Sequence, residues 1–428
     1  MFFGKKQTEN RDTKPNSKKP WQITEKIEHF FSTEPQKEKV LRHEDFYRAG
    51  DGYYAQVSAV YKVAQRFIWL FFVFFLVITI IANYRSITYD NFFFLIKDLS
   101  SAADSTGSNY ETLSYEADSR QRFTLYRGGI ASVSPSQISV FTATGRRTLR
   151  ASSSFLSPFV ISSKQYILVY DTSAKQIALY NSFARIHTES FDYPIYDACM
   201  GEDGSFAVAT KTAERSSAVY VYDDSFSFDG GIESDHYVFD LAMRRDRNTL
   251  AILMYEMGTG TGRTILSARN LNTKKEVQQL SFDGEFPLGC VFLDKDLFAV
   301  VTDHQIRIYD QSFRLVQSSD SYGSGKITAY SLTEEGIALA FSDSSKNFVL
   351  AFDKTGKLLY NSPIQTNISD LCVYDDVLFL QTESGVYRIN SSNEQAFLPS
   401  GQGKMLIYND TTALVCGSSK AEYLVFKK

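Results

Sequence analysis

Tryptophan is nearly missing: the 428 residues contain two, Trp21 and Trp69, and none follows position 69. The Trp-Asp dipeptide that marks one large class of propeller repeats is therefore absent. So are the tryptophan platforms common in glycan-active propellers. Cysteine is scarce as well. Cys199, Cys290, Cys372 and Cys416 form no C-x-x-C pair, which argues against zinc-ribbon and thioredoxin-type chemistry. Each sits in an apolar stretch and is expected to pack as a small buried hydrophobe. Of five histidines, His187, His236 and His304 follow residue 85, without H-E-x-x-H spacing. Asp235-His236 and Asp303-His304 are adjacent pairs, but neighbours along a strand face opposite ways, so neither is expected to act as a dyad. There is no D-x-D-x-D-G calcium loop. Gly258 to Gly262 (GTGTG) lacks the Gly-Lys-Ser/Thr ending of a phosphate loop and reads as a hairpin connection. No catalytic residue, cofactor or metal is expected.

The net charge of −4 gives no general attraction to nucleic acid, and no nucleic-acid partner is expected. That charge is unevenly placed. Residues 1–66 hold 13 basic and 9 acidic residues, whereas the 32 basic and 40 acidic residues that remain all follow Tyr84. The two ends face different surroundings.

Between them lies FIWLFFVFFLVITIIA (67–82), thirteen of whose sixteen residues are Phe, Ile, Leu or Val. Eighteen uncharged residues separate Arg66 from Arg85, roughly 27 Å as a helix and close to the ~30 Å hydrocarbon core if both arginines snorkel. A buried core helix would carry a polar stripe, and this segment is apolar all round. It reads as a transmembrane helix over 67–84 that stays in place as an anchor, since 66 residues precede it and no cleavage-like site follows. Arg42, Arg48, Lys62 and Arg66 before the span outweigh Arg85 and Lys97 after it, which orients the amino end to the cytoplasm. Residues 1–20 form a basic, solvated tail; Trp21 to Phe31 has helical spacing, and Gly50-Asp51-Gly52 is expected to break the helix leading into the span. Residues 85–111 hold an interfacial helix around Phe92 to Leu99 and a small-residue stalk, SSAADSTGSN.

From about residue 112 short apolar strands alternate with Gly, Asn, Asp and Ser clusters. One unit recurs: IALYNSFARI, VYVYDDSFSF, IRIYDQSFRL and FVLAFDKTGKLL each end a strand on an apolar residue and turn at Asp or Asn. The strand ends Phe141, Tyr180, Tyr222, Arg269, Tyr309, Phe352, Ile389 and Phe426 are 37 to 47 residues apart, which matches a four-stranded propeller blade of about 40 residues. Upstream hairpins such as YDACMGEDGSFAVAT supply two more strands per unit. The expected fold is all-β, an eight-bladed β-propeller over 112–428, with seven blades as the alternative. Leu113 to Ala117 is expected to complete the last blade, where the carboxyl-terminal unit has three strands.

These repeats resemble the quinoprotein-like propellers and the propellers that scaffold outer-membrane assembly. Together with the basic tail, the Phe-rich span and ITYDNFFFLIKDL (87–99), the chain also resembles an uncharacterised family of membrane-anchored propellers from Clostridia-type Gram-positive bacteria. The first resemblance implies an architecture, and the second brings no activity with it.

The turns of the first hairpins carry acids: Glu202, Asp203, Asp294, Asp296, Glu334, Glu335, Asp375, Asp376 and Asp410. In a propeller they share one face near the axis, with Arg146, Arg147, Arg185, Lys274, Lys275 and Lys357 further out. They form a candidate face for a cationic protein partner. The expected function is a single-pass, non-catalytic binding or scaffold module at the cell envelope, with the bilayer and a protein as partners. A ligand sensor relaying to the cytoplasmic helices, and a quinone-dependent or glycan-active enzyme, are the alternatives.

Overall fold

A β-strand sheet with two apolar faces needs a neighbour on each side, and the chain meets that need by repetition. The computed structural model describes residues 45–82, 89, 112–172, 174–246, 248–258, 260–294, 297–322, 325–343 and 346–427. The expected amphipathic segment at 21–31, the interfacial helix at 92–99 and the stalk lie outside them. The chain divides into two units, 1–86 and 87–428.

In the first unit one helix runs from Asp45 to Ala82. It passes through Gly50-Asp51-Gly52 without a break, contrary to expectation. Glycine keeps its N–H and costs a helix only about 1 kcal/mol, so two glycines do not end one. The window Val60–Ile81 is 22 residues long with a mean hydropathy of 2.2, and none of it is buried. The Thr79 hydroxyl within it donates to the Phe75 carbonyl at 2.8 Å, satisfying itself within the helix.

In the second unit the described residues form eight antiparallel four-stranded sheets. Blades 1 to 7 occupy 122–152, 158–190, 195–234, 237–283, 287–318, 326–364 and 368–399; blade 8 takes three strands from 404–425. The first strands of successive blades touch around the ring, and that of blade 8 (Lys404–Asn409) touches that of blade 1 (Arg122–Tyr126). These are the inner strands. Second strands such as Ile167–Asp171 and Phe206–Thr210 are buried at every position, because a neighbouring blade covers each face; hence they read as continuous apolar runs. Fourth strands such as Lys275–Asp283 alternate or are largely exposed and form the rim.

Eight apolar clusters fill the eight interfaces. Val377, Phe379, Met405 and Val415 join blades 7 and 8, and Leu113, Ile130, Phe141, Leu414 and Ala421 join blades 8 and 1. The ring has no open side, and the seven-bladed alternative is set aside.

The eight strand-end residues recognised in the sequence all stand within one residue of the end of a third strand. The acid or amide that follows closes the turn. Asp223 Oδ1 accepts the amides of Ser225 and Ser227 at 2.8 and 3.0 Å; Asp310 does so for Ser312 and Arg314 at 2.8 and 3.0 Å; Asp353 does so for Thr355 and Lys357 at 2.8 and 2.9 Å. The repeat is thus a chain of Asx turns, each satisfying backbone donors that the turn would leave unpaired.

Closure occurs where expected. Leu113–Ser114 adds the outer strand of blade 8, with Leu113 opposite Ala421 and Ser114 opposite Lys420. The Tyr115 amide donates to the Ser419 carbonyl at 2.9 Å, and its hydroxyl donates to the Gly417 carbonyl at 2.7 Å. Its ring packs 5.1 Å from that of Phe123 in blade 1. Replacing Leu113 with Ala should destabilise the propeller by about 2–4 kcal/mol, because the site is buried and bounded by two blades. Tyr115→Phe should cost about 1–2 kcal/mol. Both are read as a lower midpoint in urea unfolding at constant slope; an unchanged midpoint for Leu113→Ala would contradict closure through this strand.

Candidate functional site

In five blades the inner strand carries a β-bulge near its start: between Ile195 and Asp197, Val238 and Asp240, Pro287 and Gly289, Ile327 and Ala329, and Ile368 and Asp370. A bulge disrupts the ladder and leaves a backbone group seeking a partner. In three blades an aspartate just after the bulge supplies one to the next blade. Asp197 Oδ2 accepts the Leu241 amide at 2.8 Å, Asp240 Oδ2 accepts the Cys290 amide at 2.7 Å, and Asp370 Oδ2 accepts the Met405 amide at 3.0 Å. These carboxylates stitch blade 3 to 4, 4 to 5 and 7 to 8. The sequence held the signal as I-x-D-x-C at 195–199 and 368–372 and as VFDLA at 238–242, but acids were sought in turns and these lie in strands.

Their electrostatics differ. Asp370 is paired with Lys404 at 2.9 Å. Asp197 and Asp240 instead lie close enough for their charges to repel, with the Tyr170 hydroxyl donating to Asp197 at 2.8 Å and the Cys199, Cys290 and Tyr330 side chains around them. Burial raises the Asp197 carboxyl to about 6. Burial, and then repulsion from Asp197, pushes Asp240 well above the usual carboxylate range. Two carboxyls in contact without a cation share a proton. Gly289 makes room for this: a Cβ there would lie 2.5 Å from a Leu332 methyl and 3.0 Å from Asp240 Oδ2.

Above the pair, where first strands turn into second strands, the axis opens into a funnel of about 490 Å³. Turn residues from six blades line it, among them Arg127, Lys164, Glu202, Arg245, Glu334 and Tyr408, over Leu125, Met200 and Met243. Lys164 pairs with Glu202 at 2.7 Å, Glu202 with Arg245 at 3.4 Å, and Arg245 crosses to Glu334.

Of the acids noted in the sequence, Glu202 and Glu334 reach this funnel. Glu335 and Asp375 both pair with Lys354, at 3.3 and 2.7 Å. Asp203 accepts from Ser205 within its own turn, and Asp376 accepts from Ser391 at 3.1 Å. The Asp410 carbonyl accepts from Arg388 at 2.6 Å. Asp294 is in a turn at positive φ, and Asp296 lies outside the described residues. The funnel is therefore of mixed sign. Arg127, Lys164 and Arg245 were overlooked because acids alone were collected; taking all eight first-hairpin turns, including YRGG and RRDR, would have found them.

The other candidates resolve simply. The four cysteines are free thiols, and burial holds Cys372 up to about 11 and Cys416 up to about 12. They are protonated at neutral pH. Asp303 and His304 do meet, at 2.7 Å, contrary to expectation, because they sit in a turn where strand alternation does not apply. Asp235 instead pairs with Arg215 at 2.6 Å. Among the described residues no group of three or more His, Cys, Asp or Glu could hold a metal.

A family model described as "Family of unknown function (DUF5711)" matches residues 104–427. No curated protein matches the chain. Among solved structures, the computationally designed Ika8 protein is 13% identical with a TM-score of 0.55, over 74% of this chain and 100% of that one. Sqt1 of Saccharomyces cerevisiae is 10% identical with a TM-score of 0.52, over 73% and 98%. BamB from Moraxella catarrhalis is 11% identical with a TM-score of 0.49, over 73% and 100%. At such identities the likeness is one of fold.

The carboxyl pair sets a pH dependence. Its folded pKa values lie above the unfolded value of about 3.9, so its contribution to stability is complete below that value and is lost as pH rises through about 6. Asp240→Asn keeps an acceptor for Cys290 and removes the repulsion. Between pH 5 and 8 the urea midpoint of the wild type should therefore fall relative to that of Asp240→Asn; parallel profiles would show that the pair holds no shared proton.

Proposed function

The chain belongs to the DUF5711 family of unknown function, and on that premise we propose that it is a single-pass membrane protein whose extracytoplasmic propeller binds and scaffolds another protein without catalysis. The apolar helix supports the anchor, since an unburied apolar run such as Phe67 to Ala82 is stable in lipid and costly in water. The excess of Lys and Arg before the span supports an amino end inside. The reading is carried by the funnel. Charged side chains of both signs from five blades converge on one opening, an arrangement suited to a polypeptide segment whose own charges exchange with the Lys164–Glu202–Arg245–Glu334 chain.

Under this proposal a cationic side chain of the partner takes Glu202 and Glu334, while Arg127, Lys164 and Arg245 receive its acids or backbone carbonyls. Crosslinking in intact cells, followed by gentle solubilisation of the full-length protein, should recover one partner reproducibly. Its yield should fall at least fivefold for Glu202→Lys with Glu334→Lys, and stay level for Glu214→Lys, an exposed control at the turn joining the second and third strands of blade 3. Equal recovery from all three would overturn the funnel as the binding site. Release of the protein by carbonate washing would overturn the anchor.

A further inference from the structure

Blade 4 breaks the repeat at one position. Where seven blades end the third strand on Phe, Tyr or Ile, this blade has Arg269. The side chain is partly buried in the cleft between blades 3 and 4, and its Nε is buried with no hydrogen-bond partner among the described residues. A buried guanidinium N–H without an acceptor costs about 1–3 kcal/mol, a penalty that the aromatic residue used elsewhere in the repeat avoids.

The opposite wall of the cleft is unusual too. The outer strand of blade 3 presents Gly230 and Gly231, leaving a cavity of about 70 Å³ bounded by Arg269, Asn270 and Lys274. A second cavity of about 180 Å³ adjoins the same arginine. Among the described residues no carboxylate forms an ion pair with Arg269, although Glu276 stands opposite it across the ladder. Asp229 is held by Lys274 at 3.1 Å, Glu276 accepts from Ser267 at 2.6 Å, and Glu233 lies close enough to feel the charge of Arg215. His236 also borders the larger cavity.

We propose that Arg269 is the anchor of a binding site for a small oxyanion, a carboxylate or phosphate group, seated between blades 3 and 4 against Gly230 and Gly231. The guanidinium offers parallel N–H donors matched to two oxygens of such a group. Lys274, paired with Asp229, stands at the rim, and the glycines admit the ligand where a side chain would fill the space. The site is separate from the axial funnel and independent of the protein-binding role.

Thermal unfolding of the full-length protein in detergent, with sodium phosphate or sodium acetate compared with sodium chloride at equal ionic strength, tests this. Either oxyanion should raise the wild-type midpoint by roughly 2 °C or more over chloride. A response to phosphate alone identifies a phosphorylated ligand, and a response to acetate a carboxylate. Arg269→Phe, which restores the residue type of the other blades, should lose the response while unfolding no earlier than wild type in chloride. Gly230→Val keeps the arginine, fills the cavity and should lose the response as well. The absence of any wild-type shift, or an equal shift in Arg269→Phe, would overturn the proposal.

Discussion

Every four-stranded sheet in this protein is apolar on both faces, and no sheet of that kind is stable in water by itself. The rest of the structure follows from covering those faces. Each blade covers the next, eight clusters fill the eight interfaces, and the first and last blades meet in a cluster built from Leu113, Phe141 and Leu414. Placing the amino-terminal strand beside the carboxyl-terminal ones makes closure covalent in effect: the ring cannot open at that seam without breaking strand pairing inside a blade. Residues 300 positions apart in the chain become hydrogen-bonded neighbours.

Packing eight inner strands around an axis also creates the chemistry of the molecule. Five of the strands bulge near their start, and in three of them the aspartate just past the bulge accepts a backbone amide of the next blade. Where a lysine accompanies the aspartate, as at Asp370, the arrangement is a structural tie. Where two such aspartates meet, at blades 3 and 4, the same geometry confines like charges and raises their proton affinity. One structural device yields both a latch and a titrating pair, and the difference is which residue happens to stand next door.

The funnel and the blade 3–4 cleft show two ways in which a repeat acquires specificity. At the funnel six of the blades contribute residues of different charge, so that a nearly symmetric ring presents an asymmetric opening. At the cleft a single departure from the repeat, arginine in place of an aromatic, combines with two glycines on the adjacent blade to leave space and charge together. Regular positions carry stability, and irregular ones are where a ligand or partner can be distinguished.

Much of this was legible beforehand because the determinants are local. The period of about 41 residues, the Asx turns at Asp223, Asp310 and Asp353, the apolar span and the completing strand at Leu113 all follow from residue spacing and turn chemistry within short windows. Other features depend on distance across the ring. Asp197 and Asp240 are 43 positions apart and look like ordinary strand residues until bulges turn them towards one another. Arg245 and Glu334 come from different blades, so pairing between acids and bases at the funnel was invisible to a reading that took turns one at a time. Gly50-Asp51-Gly52 and Asp303-His304 were misread because a local rule was applied outside its setting, a helix long enough to absorb glycine in the first case and a turn rather than a strand in the second. The sequence by itself determined the blades and the anchor-like helix, since periodicity and hydropathy are properties of the chain, whereas the closed ring decided between eight blades and seven. Tertiary structure alone decided which charges neutralise, which carboxyls share a proton and which arginine stays unmatched, because those depend on distances that exist only once the ring has closed.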